Sequence, residues 1–347
     1  MNLYSLSKAS LADQPTMCSL DLSIIIVNWK SQELVRQCLR SIAENVYGVR
    51  HEILIVDNAS YDGCEQMVKS EFKQAIFIQC TENIGFAGAN NRAFALSIGR
   101  NVLFLNPDTE IQGRAIQNLI SSLESIPNAG MVGACLLNSD FSLQTTCITA
   151  APSILNQTLT SDLVRKLFPK WKMWGMRPLF ERCLVPSQVE IISGACMLAK
   201  REVIEAVNAF SSDYFMYCED TDLCIKIAKA GWNLYYVPDA RIVHHGGGSS
   251  SSRKESDFSS IMMRQSLLHF LELYRGLPYA SLYRCSVTIV SVCRLLLLAM
   301  AIPIMLHPRG NKFIQRAASK WFRILMWSLG LTRWAKLHSL STAVSTQ

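Results

Sequence analysis

From residue 22 onward, short apolar runs alternate with stretches of helical periodicity. Leu22–Val27 is short and rich in isoleucine, the pattern of a strand buried on both faces. Ser31–Asn45 then places Leu34, Val35, Cys38, Leu39 and Ile42 at helical spacing. The alternation continues through strand Glu52–Val56, helix Cys64–Phe72, strand Ala75–Gln79, helix Gly88–Ile98 and strand Asn101–Leu105. Helix Ile111–Ser125 and strand Gly130–Ala134 follow. Later, Val189–Ile192 and Ala195–Leu198 flank Ser193-Gly194, Asp220–Ala230 reads as a helix, and Asn233–Val237 as a strand. The pattern predicts an α/β fold with a mainly parallel sheet and helices on both faces. Ligands bind such sheets at the carboxyl ends of the strands. Polar clusters stand at three of those ends: Asn28-Trp29, Asp57-Asn58 and Asn106-Pro107-Asp108.

The regular pattern is framed by less regular segments. Residues 1–20 are mixed and polar and read as a loose arm, without the apolar core of a signal peptide, so an intracellular chain is expected. Residues 140–188 hold several Pro and Trp and read as an insertion, placed to face an acceptor. His244–Ser252, two histidines followed by glycines and serines, reads as a flexible loop that could close over substrate. The expected division is an arm (1–20), a catalytic domain (21–260) and a C-terminal helical region (261–347).

Half of the 347 residues are hydrophobic and the mean hydropathy is +0.17, an excess that must sit somewhere specific. It sits at the C-terminus. Residues 286–306 would form a helix of about 31 Å, long enough for a bilayer core. Arg294 near its middle and Pro303 count against a plain span. Trp321, Trp327 and Trp334 then alternate with basic residues around the apolar stretch Trp321–Leu331, which suits a helix lying in the interface. A helix pair packed on the catalytic domain is the third reading. The net charge is +7, and from Arg309 onward there are seven Lys or Arg and no acid, which favours an anionic surface. A membrane surface is the expected partner, and nucleic acid is not. The twelve cysteines show no CxxC pair or zinc spacing and read as small core residues in a reducing compartment.

Four clusters carry candidate chemistry. Asp108, in a Pro-shaped turn at a strand end, can reach a magnesium or manganese ion held by phosphate oxygens, although Asp108 or Thr109 could equally cap the helix expected at Ile111. Glu219, Asp220 and Asp222 open a helix. Capping accounts for part of that cluster, and crowded like charges that raise a pKa suit a general base. His244-His245 offers imidazole ligands, or a surface pair without function. Glu82–Asn91 lacks the spacing of a dinucleotide fingerprint but offers backbone N–H groups and small residues to a diphosphate or ribose.

Seven runs in order, SIIIVNWK, ILIVDNASYDG, ENIGFAGANNRA, LNPDTEI, SGACMLAKREV, CEDTDLCIKIAKAGW and HHGGGSS, cover roughly residues 22–250. Together they resemble the family 2 glycosyltransferases, in the rhamnosyltransferase-like branch. The resemblance implies a GT-A nucleotide-sugar-binding fold and an inverting mechanism. It implies that Trp29 and Asn58 lie near the nucleotide base with Asp57 beside them, and that Asn83, Gly85, Phe86, Asn91 and Asn106 belong to the donor site. Asp108 and His244 would hold Mg2+ or Mn2+. Asp220 matches the catalytic base, with Glu219 and Asp222 as neighbours. Where many members carry a first metal carboxylate, this chain has Asn106, so an ion should bind weakly without donor. The implied partners are a nucleotide diphosphate sugar and a glycan or polyprenyl-linked acceptor, met at the cytoplasmic face of a membrane, peripherally or by a single span through 286–306. The competing readings are a nucleotidyltransferase and a catalytically inactive nucleotide-sugar-binding module.

Overall fold

The protein is described here by a computed structural model, over residues 20–159, 162–181, 185–246, 253–301 and 308–332. The arm up to residue 19, the Gly/Ser run 247–252, residues 302–307 and the tail from 333 lie outside the described residues.

The strands are β1 (Leu22–Asn28), β2 (His51–Asp57), β3 (Ile76–Gln79), β4 (Asn101–Leu105), β5 (Thr109–Ile111), β6 (Ala129–Leu137), β7 (Ile148–Thr149), β8 (Ser187–Val189), β9 (Ile191–Ile192), β10 (Cys196–Lys200) and β11 (Asn233–His244). The helices are α1 (Gln32–Asn45), α2 (Cys64–Glu71), α3 (Gly85–Leu96), α4 (Ala115–Ser125), α5 (Ile154–Thr158), α6 (Asp162–Leu167), α7 (Arg201–Ala206), α8 (Glu219–Lys229), α9 (Arg253–Arg275), α10 (Leu277–Ala301) and α11 (Pro308–Ser328). A nine-stranded sheet runs β3-β2-β1-β4-β10-β6-β11-β5, with β8 also paired to β11. β1–β4, β6 and β11 point one way, and β5, β8 and β10 the other. The sheet is thus mostly parallel, as expected, with antiparallel strands inserted. β7 and β9 form a separate pair.

Strand alternation explains the layering. Leu22, Ile24 and Ile26 of β1 face a core built with Val35, Leu39 and Ile42 of α1. Ile25 and Val27 face the other core with Ala87, Ala89 and Ala93, whose small side chains let α3 lie close to the sheet. A third core joins Tyr214 to Phe270 and Leu271 of α9, Tyr283 and Val287 of α10, and Ile324 and Trp327 of α11. α9 runs unbroken across residue 260, where the division into two regions was expected.

The segment after Asp108 differs from its expectation. Thr109–Ile111 is an edge strand paired antiparallel with β11, and the helix starts only at Ala115. Thr109 and Ile111 are buried on alternate positions, and Gly113 at φ +54° turns the chain before the helix. Asp108 therefore caps nothing here, because the residue before α4 is Arg114. α3 likewise begins at Gly85 rather than Gly88.

Candidate active site

The carboxyl ends of β1, β2 and β4 converge on a cavity of about 320 Å³. Its wall includes Trp29, Asn58, Asn83, Gly85, Phe86, Asn106, Asp108, Glu219, Asp220 and His244, ten of the thirteen residues singled out above. Asp57, Asn91 and Asp222 are not among its lining residues.

The three absent residues are spent on holding the frame. Asp57 is 1% exposed; its Oδ1 accepts from Asn28 Nδ2 at 2.6 Å, and its Oδ2 accepts from the Ser60 backbone and from Gln79 Nε2. Asn91 clasps the Phe210 backbone, donating to its carbonyl and accepting from its N–H. Asp222 accepts from the Tyr274 hydroxyl at 2.8 Å, tying α8 to α9.

Asn58 does both jobs. It lines the cavity, its Nδ2 donates to Asn83 Oδ1 at 2.8 Å and to the Gly85 carbonyl, and its Oδ1 accepts from Ile84 N–H. Gly85 has φ +76°, and a Cβ there would sit 2.4 Å from the Phe215 carbonyl oxygen. Only glycine lets the 82–86 loop approach the 215–217 segment this closely. That segment ends in two successive left-handed non-glycine residues, Tyr217 (φ 68°) and Cys218 (φ 67°), directly before Glu219. Such strain is concentrated where a fold must present side chains in one orientation.

At the other wall, His244 Nε2 lies 3.3 Å from Asp108 Oδ1 and 3.5 Å from Asn106 Nδ2. Its Nδ1 lies 2.7 Å from Gln144 Oε1, while Gln144 Nε2 donates to Asn138 Oδ1 and the His244 carbonyl. Gln144 Oε1 can only accept, so in the neutral ring Nδ1 carries the hydrogen and Nε2 turns its lone pair toward Asp108. Gln144 lies in the irregular region, and no local pattern marked it. His245 faces elsewhere, between Glu110 and Ser139.

Among the described residues no group of three or more His, Cys, Asp or Glu side chains could hold a metal. Asp108 and His244 nevertheless supply one hard oxygen and one imidazole nitrogen. That set suits an ion whose other ligands are phosphate oxygens.

Asp220 divides two cavities. Its Oδ2 accepts from Gly194 N–H at 2.9 Å, and its Oδ1 from the Thr221 N–H at 2.7 Å and hydroxyl at 3.2 Å. Beyond it lies a second cavity of about 440 Å³ that shares Ser193, Tyr217, Glu219 and Asp220 with the first. Residues of the 140–188 insertion line it, among them Thr149, Gln157, Arg165 and Trp174. Burial raises the Asp220 carboxyl, opposed by the Gly194 and Thr221 donors. Burial, and secondarily the charge of Asp220, pushes Glu219 up to about 8.

A mostly parallel sheet with a cavity at its strand ends and a carboxylate-bearing helix beside it is the arrangement of the GT-A fold. A solved mannosyltransferase from Pyrobaculum calidifontis, in complex with GDP-Man and Mn2+, superimposes with a TM-score of 0.54 over 90% of this chain and 88% of its own, at 18% identity. GalNAc-T7, solved with UDP, GalNAc and Mn2+, gives 0.51 over 73% of this chain and 51% of its own, at 11% identity. The profile of glycosyl transferase family 2 matches residues 23–207, more than half of the chain, and the chain belongs to that family. Within the family it is similar to rhamnosyltransferases. An N-acetylglucosaminyl-diphospho-decaprenol L-rhamnosyltransferase of Mycobacterium tuberculosis is 29% identical over 208 residues, 55% of this chain and 66% of that one. Rhamnosyltransferase WbbL of Escherichia coli is 28% identical over 146 residues, 41% of this chain and 51% of its own. The chain thus spans just under two thirds of the first of these relatives and about half of the second. Membership places the chain among the family 2 glycosyl transferases.

Proposed function

We propose that the chain is an inverting transferase. It moves a hexose, rhamnose first among candidates, from a nucleotide diphosphate sugar to a hydroxyl of a glycan carried on a polyprenyl-type lipid. The observation that supports this reading is the position of Asp220, which lines both cavities. The donor occupies the first, against Trp29, Asn58 and Asn83. The acceptor enters the second, beside Trp174 and the insertion.

Glu219 and Asp220 divide the acid–base work. With its pKa pushed up to about 8, Glu219 keeps its proton near neutral pH. The negative charge then stays on Asp220, where three N–H and O–H donors favour the anion. Asp220 takes the proton from the acceptor hydroxyl, the oxygen attacks the anomeric carbon from the face opposite the diphosphate, and the nucleoside diphosphate leaves. Asp108 and His244 would hold Mg2+ or Mn2+ together with the donor, and such an ion neutralises charge on the departing diphosphate. The intact Asp108, His244 and Asp220 set favours this reading over an inactive binding module.

We place the enzyme at the cytoplasmic face of a membrane. α10 offers a 24-residue apolar stretch, Leu277–Met300, whose most apolar 18 residues have a mean hydropathy of 1.7 and are only 17% buried. It packs on α9 and α11 along one face and leaves Ile289, Leu296 and Met300 exposed on another. That arrangement suits in-plane attachment better than a lone span.

Asp220→Asn tests the assignment. Transfer should fall by at least about a hundredfold, while donor affinity, measured by calorimetry, is kept. Near-normal turnover in the variant would remove Asp220 from the mechanism.

A further inference from the structure

The hairpin that opens the irregular segment reaches back to the wall of the donor cavity. β6 ends at Leu137, and residues 138–142 turn the chain. Asn138 N–H donates to the Ser142 carbonyl and Phe141 N–H to the Asn138 carbonyl, both at 2.8 Å, with Phe141 at a left-handed φ of 61°. Leu143 then pairs with Leu137, and Gln144 N–H donates to the Leu136 carbonyl, which sets Gln144 beside the end of β6. β11 runs parallel to β6 there, with Val243 opposite Leu137, so the Gln144 side chain meets His244.

A neutral imidazole carries one hydrogen, and two acceptors compete for it. Gln144 Oε1 lies 2.7 Å from Nδ1, whereas Asp108 Oδ1 lies 3.3 Å from Nε2, outside the good hydrogen-bond range. Gln144 therefore wins, but only while it turns its oxygen, and not its amide nitrogen, to the ring. That orientation is imposed from the surface. Hydrogen bonds from Ser142 hold the exposed Asp140 carboxyl below the usual aspartate range, and an ionised carboxylate can only accept. Ser142 Oγ gives its hydrogen to Asp140 at 2.5 Å, so it accepts from Asn138 Nδ2 at 2.9 Å. Asn138 Oδ1 in turn accepts from Gln144 Nε2 at 3.1 Å, and the His244 carbonyl offers that nitrogen a second acceptor at 3.4 Å. Turning the Gln144 amide over would set its oxygen against both of these oxygens. Each link fixes the direction of the next, from Asp140 to Nδ1 of His244.

We propose that this hairpin positions the site histidine: the one-way chain Asp140–Ser142–Asn138–Gln144 holds His244 as the Nδ1–H tautomer and keeps Nε2 bare beside Asp108. Without the Gln144 oxygen, Asp108 is the acceptor left to the ring. The hydrogen then moves to Nε2 and occupies the lone pair that an ion would need. The demand is sharp in this chain because Asn106 stands where a second carboxylate could, which leaves Asp108 and His244 as the donors of that wall. The inference rests on the reading of Asp108 and His244 as ion ligands given above, and adds the residues outside the cavity that set the ring's proton.

The test reads the proton itself. The full chain, with isotope-labelled histidine nitrogens and free of metal and nucleotide, is followed by NMR at about pH 8.5, where an ordinary imidazole is neutral. The His244 signals are those lost in His244→Gln. The wild type should show Nδ1–H and Gln144→Leu should show Nε2–H. Ser142→Ala, which leaves Gln144 in place, should show a mixture. Gln144→Glu, whose carboxylate also accepts from Nδ1–H, should keep the wild-type form. Manganese affinity is read by electron paramagnetic resonance with UDP, GDP and dTDP supplied in turn. It should fall at least about tenfold in Gln144→Leu and about threefold in Ser142→Ala, and recover in Gln144→Glu. Gln144→Leu also loses the amide's bonds within the hairpin, so the other two variants carry the test if it does not melt cooperatively. Nε2–H in the wild type, or Nδ1–H kept unmixed in both Gln144→Leu and Ser142→Ala, overturns the proposal. A tautomer that moves as expected without any change in manganese affinity supports the hydrogen-bond chain and removes His244 from the ion's ligands, which is a failure of the metal reading instead.

Discussion

Replacing Glu219 with glutamine should stabilise the protein at neutral and mildly alkaline pH and do little in mild acid. Glu219 is buried, and among the described residues its Oε2 has no hydrogen-bond partner. Burial, then the charge of Asp220, raises its carboxyl from 4.5 to about 8. Between those two values the folded protein holds a proton that the unfolded chain has released. A raised carboxyl therefore costs stability progressively as pH climbs through that window, the reverse of a salt-bridged carboxylate. At about 1.4 kcal/mol per pKa unit, the cost is about 3 kcal/mol near pH 7 and less than about 1 kcal/mol near pH 5. Glutamine keeps the shape of the protonated acid and removes the titration. With an unfolding entropy of about 2.1 cal/mol/K per residue, 3 kcal/mol in a chain of this length moves the melting temperature by about 4 °C. The assay is the melting temperature of the Glu219→Gln variant minus that of the wild type, at about pH 5 and about pH 7.5. The difference should be near zero in acid and positive at the higher value. A difference that does not depend on pH, or one that is negative at the higher value, would refute the reasoning, and with it the claim that Glu219 keeps the charge on Asp220.

Three further outcomes follow from the site and its frame. Asn106→Asp puts a second carboxylate beside Asp108 and His244, so manganese binding to the donor-free protein, read by calorimetry, should tighten by about tenfold or more; unchanged binding would move the ion away from this wall. Gly85→Ala drives a Cβ to 2.4 Å from the Phe215 carbonyl at φ +76°, and should cost at least about 2 kcal/mol of unfolding free energy, read by denaturant titration, while weakening donor binding. Leu296→Glu with Met300→Glu should move the protein from the membrane fraction to the soluble fraction in flotation, with donor affinity kept; persistent flotation would shift attachment away from α10.

Much of the N-terminal half of the sheet was legible because its signals are local. β1, β2 and β4 are apolar runs closed by Asn28-Trp29, Asp57-Asn58 and Asn106-Pro107-Asp108, and each closure does lie at the carboxyl edge of the sheet. β5 was hidden because Thr109–Ile111 is too short to show a period and becomes a strand only against Ile242–His244. The reversed direction of β10 is a property of its neighbours β4 and β6. The motif strings located Asp57, Asn91 and Asp222 but not their facing: their carboxylates and amide turn inward to Asn28, Phe210 and Tyr274. Gln144, Arg165 and Trp174 went unmarked because the insertion has no periodicity: only the fold brings Gln144 to His244 and lets Arg165 and Trp174 line a cavity together with Asp220. The apolar C-terminal segment was visible, but α10 starts earlier, at Leu277, and its packing on α9 and α11 depends on aromatic contacts spread over all three helices.

The central claim is that a sugar passes from a nucleotide diphosphate donor, across Asp220, to an acceptor hydroxyl. The most direct test incubates the full chain with manganese, a panel of nucleotide diphosphate sugars and a prenyl-diphosphate-linked acceptor sugar, and follows both products by mass spectrometry and NMR. With its proper donor, the acceptor should gain one sugar per nucleoside diphosphate released, and the new linkage should have the anomeric configuration opposite to the donor's. Nucleoside diphosphate release without acceptor glycosylation, or a product that retains the donor's configuration, would contradict the account.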